Sequence, residues 1–269
     1  MHELTYVTCL FDLSQYRRTP TGERNALHYL KYAKSFILRV DMPIYIFTSH
    51  EFYHEIYNFR KSLNLEDKTY IHIVNLEDLP IFRQEKLREN YNIILEYYNS
   101  INKWCTVKFI PEYIYLILSK FYFLKKASVD NIFNTKNIAW IDFGINHREK
   151  IDPRELNPGI LLDIESYTPQ NLTFPIFTQR DIPENVLLKQ WNSVSAGGFI
   201  IMPVNKHPIL DTIMDKINQY IKQGYLVYDE TMLYAIYKNP EIECCGYLTS
   251  SNYDKILVDY INFAKTKDT

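Results

Sequence analysis

Apolar and polar positions follow two different periods along the chain, and together they predict an α/β fold. Short apolar runs rich in β-branched and aromatic residues are typical of buried strands, whereas apolar residues three or four apart are typical of helices that pack by one face. The first part reads strand, helix, strand, helix, strand, which favours a parallel sheet with short loops at the strand ends. The predicted strands are 4–11, 44–48 and 69–74, and the predicted helices are 25–38 and 51–63.

The middle of the chain is predicted to be helical up to a central strand. Residues 79–100 are highly charged and are most simply a solvated surface helix. Residues 111–130 have the strongest helical pattern, so we expect one long buried helix there. It leads into the apolar run 138–141, which we expect to be a strand inside the sheet.

After the central strand the periodic pattern weakens. Residues 149–183 contain five prolines and no clear period apart from extended pieces near 160–164 and 172–177. This composition suits a substrate-facing insert or strands of a mixed sheet. We see no repeat and no linker, so we expect one domain over residues 1–269. The later elements expected are strands at 199–202 and 246–248 and helices at 208–223, 229–238 and 256–263.

Composition and charge exclude some classes of protein. Of the 269 residues 46% are hydrophobic and 23% charged, which is ordinary for a globular protein with a sizeable core. A net charge of -2 gives no electrostatic reason to expect nucleic acid or an anionic membrane as the main partner. The most apolar stretch, 114–124, is interrupted by Lys120 and is too short to span a bilayer, and no signal peptide opens the chain. We therefore expect a soluble, cytoplasmic protein.

The cysteines agree with a reducing compartment. Cys9, Cys105, Cys244 and Cys245 show no metal-ligand spacing, and the adjacent pair at 244 and 245 is a poor candidate for a disulfide. We expect all of them to be reduced thiols in a cytosol-like environment.

The functional interpretation depends most on Asp142, which ends the central strand. Gly144 follows and lets the backbone turn. An acid at the end of a central strand of an open α/β sheet faces the crevice where such folds bind ligands. With Asn146 and His147 it could hold a divalent ion that in turn holds phosphate oxygens. The alternative is that Asp142 caps a turn and His147 is solvated.

The triplet Asp142-Phe143-Gly144 also matches the metal-binding triplet of protein kinases. That motif requires a Gly-rich loop and a His-Arg-Asp catalytic loop upstream, and the sequence has neither. A protein kinase is therefore excluded.

Six short motifs stand in order along most of the chain. In this order and spacing they resemble the HtrL/YibB (WlaTC/HtrL) family, whose members are regarded as glycosyltransferases of the GT-A type. The resemblance implies an α/β, GT-A-like fold with a Rossmann-type mixed central sheet flanked by helices. It also implies a nucleotide-binding half over 1–147 and an acceptor half over 148–269. The motifs are Val7-Thr8-Cys9-Leu10-Phe11-Asp12, Pro43-Ile44-Tyr45-Ile46-Phe47-Thr48, Pro111-Glu112-Tyr113 with Ser119-Lys120-Phe121, Trp140-Ile141-Asp142-Phe143-Gly144, Ala196-Gly197-Gly198-Phe199 and Asp229-Glu230.

The activity implied by the resemblance is transfer of a sugar from a nucleotide-sugar, preferably a UDP-sugar, to a glycan or other hydroxyl acceptor. Negative charge grows on the departing nucleoside diphosphate, so a metal or an Arg or Lys side chain must stand there. Asp142 and His147 are the implied ligands for Mn²⁺ or Mg²⁺. Many GT-A enzymes carry Asp-x-Asp, but the third position here is Gly144. Either Asn146 or His147 completes the metal shell, or the metal is held weakly, or it is dispensable.

Three cations are candidates for contacts with the donor phosphates. Arg17 and Arg18 could fork onto phosphate oxygens, and Lys120 offers a point charge. The alternatives are a solvated loop for the arginines and an ion pair or snorkelling for Lys120. The full set of implied donor-binding residues is Thr8, Phe11, Asp12, Arg17, Arg18, Thr48, Lys120, Gly197 and Gly198.

The uncharged members of this set belong to strand ends and a turn. Thr8, Phe11 and Thr48 lie near the ends of the first two strands, where base and ribose would rest. Gly197 and Gly198 would let the backbone approach the sugar closely. Ordinary core packing and a plain hairpin turn explain the same residues.

Asp229 and Glu230 are the candidates for catalysis or acceptor binding. An inverting enzyme needs a carboxylate that takes the proton from the acceptor hydroxyl. The alternative is a structural role at a helix start, where Asp caps and Glu suits the first turn. Inversion and retention stay open, and so does a non-catalytic nucleotide- or glycan-binding protein with a degenerate fold. Nucleotidyl transfer is weaker, because no P-loop or paired-acid signature appears.

Overall fold

A single mixed β-sheet forms the centre of the computed structural model, which describes residues 2–16, 25–100, 111–146, 157–167, 169–187, 194–225, 227–250 and 255–267. The strands are β1 (Leu4–Leu10), β2 (Ile44–Thr48), β3 (Thr69–Ile73), β4 (Asn137–Ile141), β5 (Leu172–Ile176), β6 (Phe199–Pro203) and β7 (Cys244–Leu248). They form a seven-stranded sheet in the order β3-β2-β1-β4-β6-β5-β7.

Helices cover both faces of this sheet. They are α1 (Ala26–Ser35), α2 (His50–Ser62), α3 (Glu85–Ser100), α4 (Pro111–Leu118), α5 (Lys120–Asp130), α6 (Gly159–Glu165), α7 (Glu184–Leu187), α8 (Pro208–Lys222), α9 (Asp229–Tyr237) and α10 (Ile256–Lys265).

The sheet has a parallel part and a mixed part. Strands β3, β2, β1 and β4 are parallel, β6 is antiparallel to β4 and β5, and β7 is parallel to β5. This confirms the predicted GT-A-like class, a Rossmann-type mixed sheet flanked by helices. Val7 pairs with Trp140, and Ile141 pairs with Phe199. The carboxyl ends of β1 and β4 and the start of β6 therefore meet at one edge of the sheet.

Side chains alternate between two apolar cores, one on each face. We call them the Trp140 face, which also carries Val7, and the Tyr6 face, which also carries Ile141. Helices α3, α4, α5, α8 and α9 contribute buried residues to the Trp140 face, and α1, α2, α6 and α10 contribute to the Tyr6 face. Because successive strand residues point to opposite faces, Asp142 continues the Trp140 face beyond the end of β4.

The predicted single helix over 111–130 is wrong, because the structure divides it at Ser119 into α4 and α5. The hydroxyl of Ser119 donates to the Tyr115 carbonyl at 2.8 Å, and its N–H is shared between the Tyr115 and Leu116 carbonyls. A serine that competes for a backbone carbonyl in this way locally disturbs a helix. Lys120 is consequently the first residue of α5.

Two other boundaries differ from the prediction. Residues 160–164 were expected to be extended but lie in α6, where Leu161 and Ile164 are buried three residues apart. The expected helix over 79–100 begins only at Glu85, because Pro80 opens a short 3₁₀ turn, Pro80–Arg83. Short helices with few apolar positions carry little periodic signal.

Two further findings concern the class of protein. Cys9, Cys244 and Cys245 are free thiols. Among the residues described, no helix has the length and hydrophobicity needed to cross a bilayer.

Candidate functional site

Asp142 lies at the edge of the sheet where the parallel strands end. Its N–H donates to the Gly198 carbonyl at 3.0 Å, which joins it to the start of β6. The Trp140 indole N–H donates to Asp142 Oδ1 at 2.8 Å and orients the carboxylate. The Asp142 side chain is 43% exposed, so the carboxylate is held in place and still reaches solvent.

The Lys120 ammonium stands beside Asp142 and joins three segments of the chain. Its Nζ donates to the Gly197 carbonyl at 2.7 Å and to Asp229 Oδ2, and it lies 3.9 Å from Asp142 Oδ1. It also lies 5.6 Å from the centre of the Trp140 ring, in cation–π range. The Lys120 side chain is only 2% exposed. The ion-pair alternative for Lys120 is therefore the one that the geometry favours.

The charge of this buried amine is set by its neighbours. Burial alone would lower the pKa of Lys120, but the Asp229 and Asp142 carboxylates together raise it above its usual value. Lys120 is thus a cation at neutral pH.

Gly197 is required by this ion pair. A Cβ at position 197 would lie 1.8 Å from Asp229 Oδ2 and 2.6 Å from Lys120 Nζ. Such distances are far inside van der Waals contact. The Lys120–Asp229 pair occupies the space beside Gly197. A close approach of Gly197 and Gly198 to the donor sugar stays a prediction.

Asp229 and Glu230 open helix α9, but Asp229 does not cap it. The N-cap is Tyr228, and the Asp229 carboxylate pairs with Lys120. Ser195, which is fully buried, donates its hydroxyl to the Glu230 carbonyl at 2.6 Å and fixes the start of α9 against the turn before β6.

The comparisons with known proteins agree with the family expected from the motifs. The family model described as "Bacterial protein of unknown function (HtrL_YibB)" matches residues 2–247. The chain belongs to the HtrL/YibB family. No curated protein matches it.

Solved structures with a similar outline share little sequence with this HtrL/YibB chain. The apo form of mouse xyloside xylosyltransferase 1 matches with a TM-score of 0.42 and 8% identity, over 91% of this chain and 83% of that one. The 4-diphosphocytidyl-2C-methyl-D-erythritol synthase of Anaerococcus prevotii matches with a TM-score of 0.36 and 12% identity, over 99% and 98%. A cytidylyltransferase of Leptospira borgpetersenii matches with a TM-score of 0.36 and 11% identity, over 100% and 96%.

Two residues near the cluster had no assigned role in the sequence analysis. Burial, then Asp229 and Asp142, raise the pKa of Tyr113 well above its usual value, so both carboxylates act electrostatically on this phenol. Burial and Asp142 likewise raise the pKa of Cys9, against a smaller opposite effect of Lys120. The signals that could have found them are spacing and position along a strand. Tyr113 precedes Lys120 by seven residues, which is about two turns in the single helix that the sequence predicts. Cys9 lies near the end of the first predicted strand, and the β1–β4 register, which the structure supplies, continues to Cys9 opposite Asp142.

The third motif position, Gly144, lies against an aromatic ring. A Cβ at 144 would come 2.2 Å from Cδ1 of Tyr29, which belongs to α1. The space in which a second motif acid would begin is therefore filled by Tyr29.

Thr8 and Thr48 lie away from the cluster. Thr8 shares the Tyr6 face with Leu10, opposite to the face of Asp142, and is fully buried. Thr48 is also fully buried and donates its hydroxyl to the Leu10 carbonyl at 2.7 Å. The structure thus gives both threonines core and strand-end contacts, and their role with a donor stays a prediction.

Phe11 and Asp12 also make local contacts. Phe11 stacks on Phe123 with ring centroids 6.2 Å apart and is 6% exposed. Asp12 accepts the N–H and the hydroxyl of Ser14 at 2.9 and 2.8 Å, an arrangement that stabilises a turn.

Three predicted site residues, Arg17, Arg18 and His147, lie outside the described residues. Asn146 donates its amide to the Tyr32 carbonyl at 3.2 Å and to Ser35 Oγ at 3.1 Å, so its Nδ2 faces α1. Within the described ranges no group of three or more His, Cys, Asp and Glu side chains is placed to hold a metal ion.

Proposed function

We propose that this HtrL/YibB protein is a glycosyltransferase that moves a sugar from a nucleotide-sugar, preferably a UDP-sugar, to a hydroxyl group of a glycan or other acceptor. The observation that supports the proposal is the convergence of Asp142, Lys120 and Asp229 at the edge of the sheet. Open α/β folds bind their ligands at this edge. In this proposal residues 1–147 bind the nucleotide, residues 148–269 bind the acceptor, and together they form one domain.

The donor side of the reaction is assigned to Asp142. The departing nucleoside diphosphate gains negative charge as the glycosidic bond breaks, so cationic groups there lower the barrier. Mg²⁺ is commonly bound by one or two carboxylates plus substrate phosphates, and Mn²⁺ accepts similar oxygen ligands. Asp142 fits this use, because it is a partly exposed carboxylate whose orientation is fixed by Trp140. When bound, the metal supplies positive charge for the diphosphate. In this proposal His147 is a second metal ligand, and Arg17 and Arg18 contact the donor phosphates.

The acceptor side is assigned to the first turn of α9. Asp229 Oδ2 is already occupied by Lys120, and the Asp229 side chain is 9% exposed. Glu230 is half-buried with its Oε2 enclosed, whereas Asp229 is buried, so the acceptor hydroxyl is assigned to Glu230. In an inverting reaction Glu230 takes the proton of that hydroxyl. Asp229 positions the turn that carries it.

The compartment proposed is the cytoplasm. The three described cysteines are free thiols, as expected in a reducing environment.

The proposal is tested first by ligand binding. Thermal unfolding is measured with UDP, GDP, CDP, dTDP and their common sugars, each with and without Mn²⁺. A ligand bound only by the folded state stabilises it by ~2.7 kcal/mol at a hundredfold excess over its Kd, so a true donor should raise the Tm visibly. A shift with one nucleotide that Mn²⁺ increases supports the proposal. Absence of any shift from folded protein contradicts it.

A second candidate function is a non-catalytic nucleotide- or glycan-binding protein. The observation that favours it is the Tyr29 ring at Gly144, which leaves one acid in the motif. Asp142→Ala distinguishes the two in a sugar-release assay, because a transferase loses turnover while its Tm is kept. The matched control is Asp211→Ala on α8. It removes a carboxylate that is 49% exposed and that, like Asp142, lies near a lysine, in this case Lys125.

A further inference from the structure

Three oxygen atoms from separate parts of the chain surround the Lys120 ammonium. The Gly197 carbonyl lies 2.7 Å from Nζ, Asp229 Oδ2 is in direct contact, and Asp142 Oδ1 lies 3.9 Å away. Two of them are carboxylate oxygens and one is a backbone carbonyl. This all-oxygen set is the kind preferred by Mg²⁺, Mn²⁺ and Ca²⁺. The ammonium therefore occupies a site whose chemistry suits a hard metal cation.

The ammonium is held firmly in this position. The side chains of Lys120 and Asp229 are 2% and 9% exposed, and the Trp140 ring lies 5.6 Å from Nζ. Moving Lys120 away would leave the Asp229 carboxylate buried without the Lys120 cation, which is strongly unfavourable. Lys120 is thus a resident cation of the folded chain.

We propose that Lys120 takes the place of a metal ion between Asp142 and Asp229, so that the protein binds a divalent ion only at Asp142 and only together with a diphosphate. The inference deepens the proposed function and rests on it for the choice of Asp142 as the metal ligand. Consistent with it, the described part of the chain presents no group of three or more acidic, histidine or cysteine side chains that could hold a metal.

The inference has a direct physical consequence. Removal of the Lys120 charge leaves two neighbouring carboxylates and a carbonyl without their shared cation. Two neighbouring carboxylates such as Asp142 and Asp229 repel each other when both are ionised, and a bound cation relieves this repulsion. Lys120→Ala should therefore create a metal site that the wild-type protein lacks.

The test is a Mn²⁺ titration followed by the EPR signal of free Mn²⁺, in the absence of any nucleotide. The proteins are the wild type, Lys120→Ala, the double variant Lys120→Ala with Asp229→Asn, and Lys125→Ala. Lys125 is the matched control, because it lies on the same helix and pairs with Asp211 but is 33% exposed. We expect Lys120→Ala to bind one Mn²⁺ at least about tenfold tighter than any residual Mn²⁺ binding by the wild type, a difference of about 1.4 kcal/mol or more. The double variant and Lys125→Ala should behave like the wild type.

Two results would overturn the inference: a folded Lys120→Ala that binds Mn²⁺ no better than the wild type, or a wild type that already binds it equally well without nucleotide. Circular dichroism establishes that each variant is folded. If Lys120→Ala does not fold, Lys120→Ser replaces it. A wild type that binds Mn²⁺ without nucleotide and loses this binding on Asp229→Asn would likewise overturn the inference. Because no nucleotide is present, this result is separate from the thermal-shift test. The donor assignment can fail while the metal site in Lys120→Ala is still observed.

Discussion

At the scale of single residues, the site is organised by a buried ion pair that leaves no room for a side chain at Gly197. A Cβ there would lie 1.8 Å from Asp229 Oδ2 and 2.6 Å from Lys120 Nζ. Gly197 is therefore constrained by volume, and its backbone carbonyl serves as an acceptor for the amine.

Gly197→Ala should consequently disrupt the site. The added methyl group must displace Asp229 or Lys120, and overpacking of this kind typically costs about 1–3 kcal/mol. We expect a lower free energy of unfolding in urea and weaker binding of the donor identified by thermal shift. Gly159→Ala is the control, because its Cβ would meet Asn157 Oδ1 at 3.4 Å, an ordinary contact. Equal effects of the two substitutions would contradict this explanation.

Residue-level prediction from the sequence succeeded where local pattern was sufficient. Asp142 follows an apolar strand, and that pattern alone places it at the edge of the sheet. The pairing of Lys120 with Asp229 spans 109 residues and depends on how α5 and α9 pack, so no local pattern could specify it. The Tyr29 ring over Gly144 is a tertiary contact of the same kind.

At the scale of elements, Arg60 joins the connections on either side of β2. Its side chain lies on α2 and is fully buried. The planar guanidinium group donates hydrogen bonds to backbone carbonyls that lie outside the hydrogen-bonded part of the β-sheet. Its acceptors are the carbonyls of Leu38 (3.3 Å), Val40 (2.6 Å), Met42 (3.0 Å) and Lys68 (3.1 Å) and the hydroxyl of Thr69 (2.7 Å).

Arg60→Ala should therefore be strongly destabilising. Several buried carbonyls would lose their donors together, and we expect a loss of ~3 kcal/mol or more in the free energy of unfolding. Urea unfolding measures this loss, and Arg60→Lys should recover only part of it because an ammonium lacks the planar fork. The exposed Arg39 supplies the control, and Arg39→Ala should change stability by less than about 0.5 kcal/mol. A loss for Arg60→Ala as small as the control's would show that water replaces the guanidinium.

The end of α5 is tied to β2 through Asp130. Asp130 accepts the Tyr45 hydroxyl at 2.6 Å and the Lys126 ammonium at 2.6 and 2.9 Å, and His72 lies 3.2 Å from the same hydroxyl. Burial raises the pKa of Asp130, but the hydrogen bonds from Lys126 and Tyr45 outweigh it and lower the pKa below its usual value.

Asp130→Asn should therefore destabilise the protein in a pH-dependent way. An acid whose pKa is lowered by folding adds stability that is complete above its ordinary pKa of ~3.9 and is lost as the pH falls through the lowered value. We expect Asp130→Asn to cost about 1–3 kcal/mol at pH 7 and progressively less below pH ~4, as measured by urea unfolding from pH 7 to 3. Asp163→Asn, on the exposed side of α6, should show no such trend. A constant difference for Asp130→Asn across this range would contradict the role of the charge.

The predicted elements succeed or fail for identifiable reasons. All seven described strands overlap predicted apolar runs or extended pieces. The five inner strands are buried along almost their whole length, which requires such runs, whereas the edge strands β3 and β7 are only partly buried. The break at Ser119 depends on one hydroxyl bonding to the Tyr115 carbonyl, which hydrophobic periodicity does not contain. Helix α6 has only seven residues, too few for its period to stand out.

At the scale of the whole molecule, one sheet joins the proposed nucleotide half to the proposed acceptor half. Strand β4 belongs to the first and pairs along its length with β6 of the second, from Asn137–Pro203 to Ile141–Phe199. The Lys120–Asp229 pair crosses the same boundary. Neither half can keep all its contacts when the other unfolds.

The described elements should therefore unfold as one cooperative unit. In calorimetry the van't Hoff enthalpy should equal the calorimetric enthalpy, as expected for a two-state transition. The sharper test uses one destabilising variant in each half, Arg60→Ala in the first and Gly197→Ala in the second. Each should move the whole transition to a lower Tm with its shape retained, because the β4–β6 pairing transmits the loss to both halves. Two separate transitions, of which each variant moves only its own, would show that the halves fold independently and that the site lies between two domains.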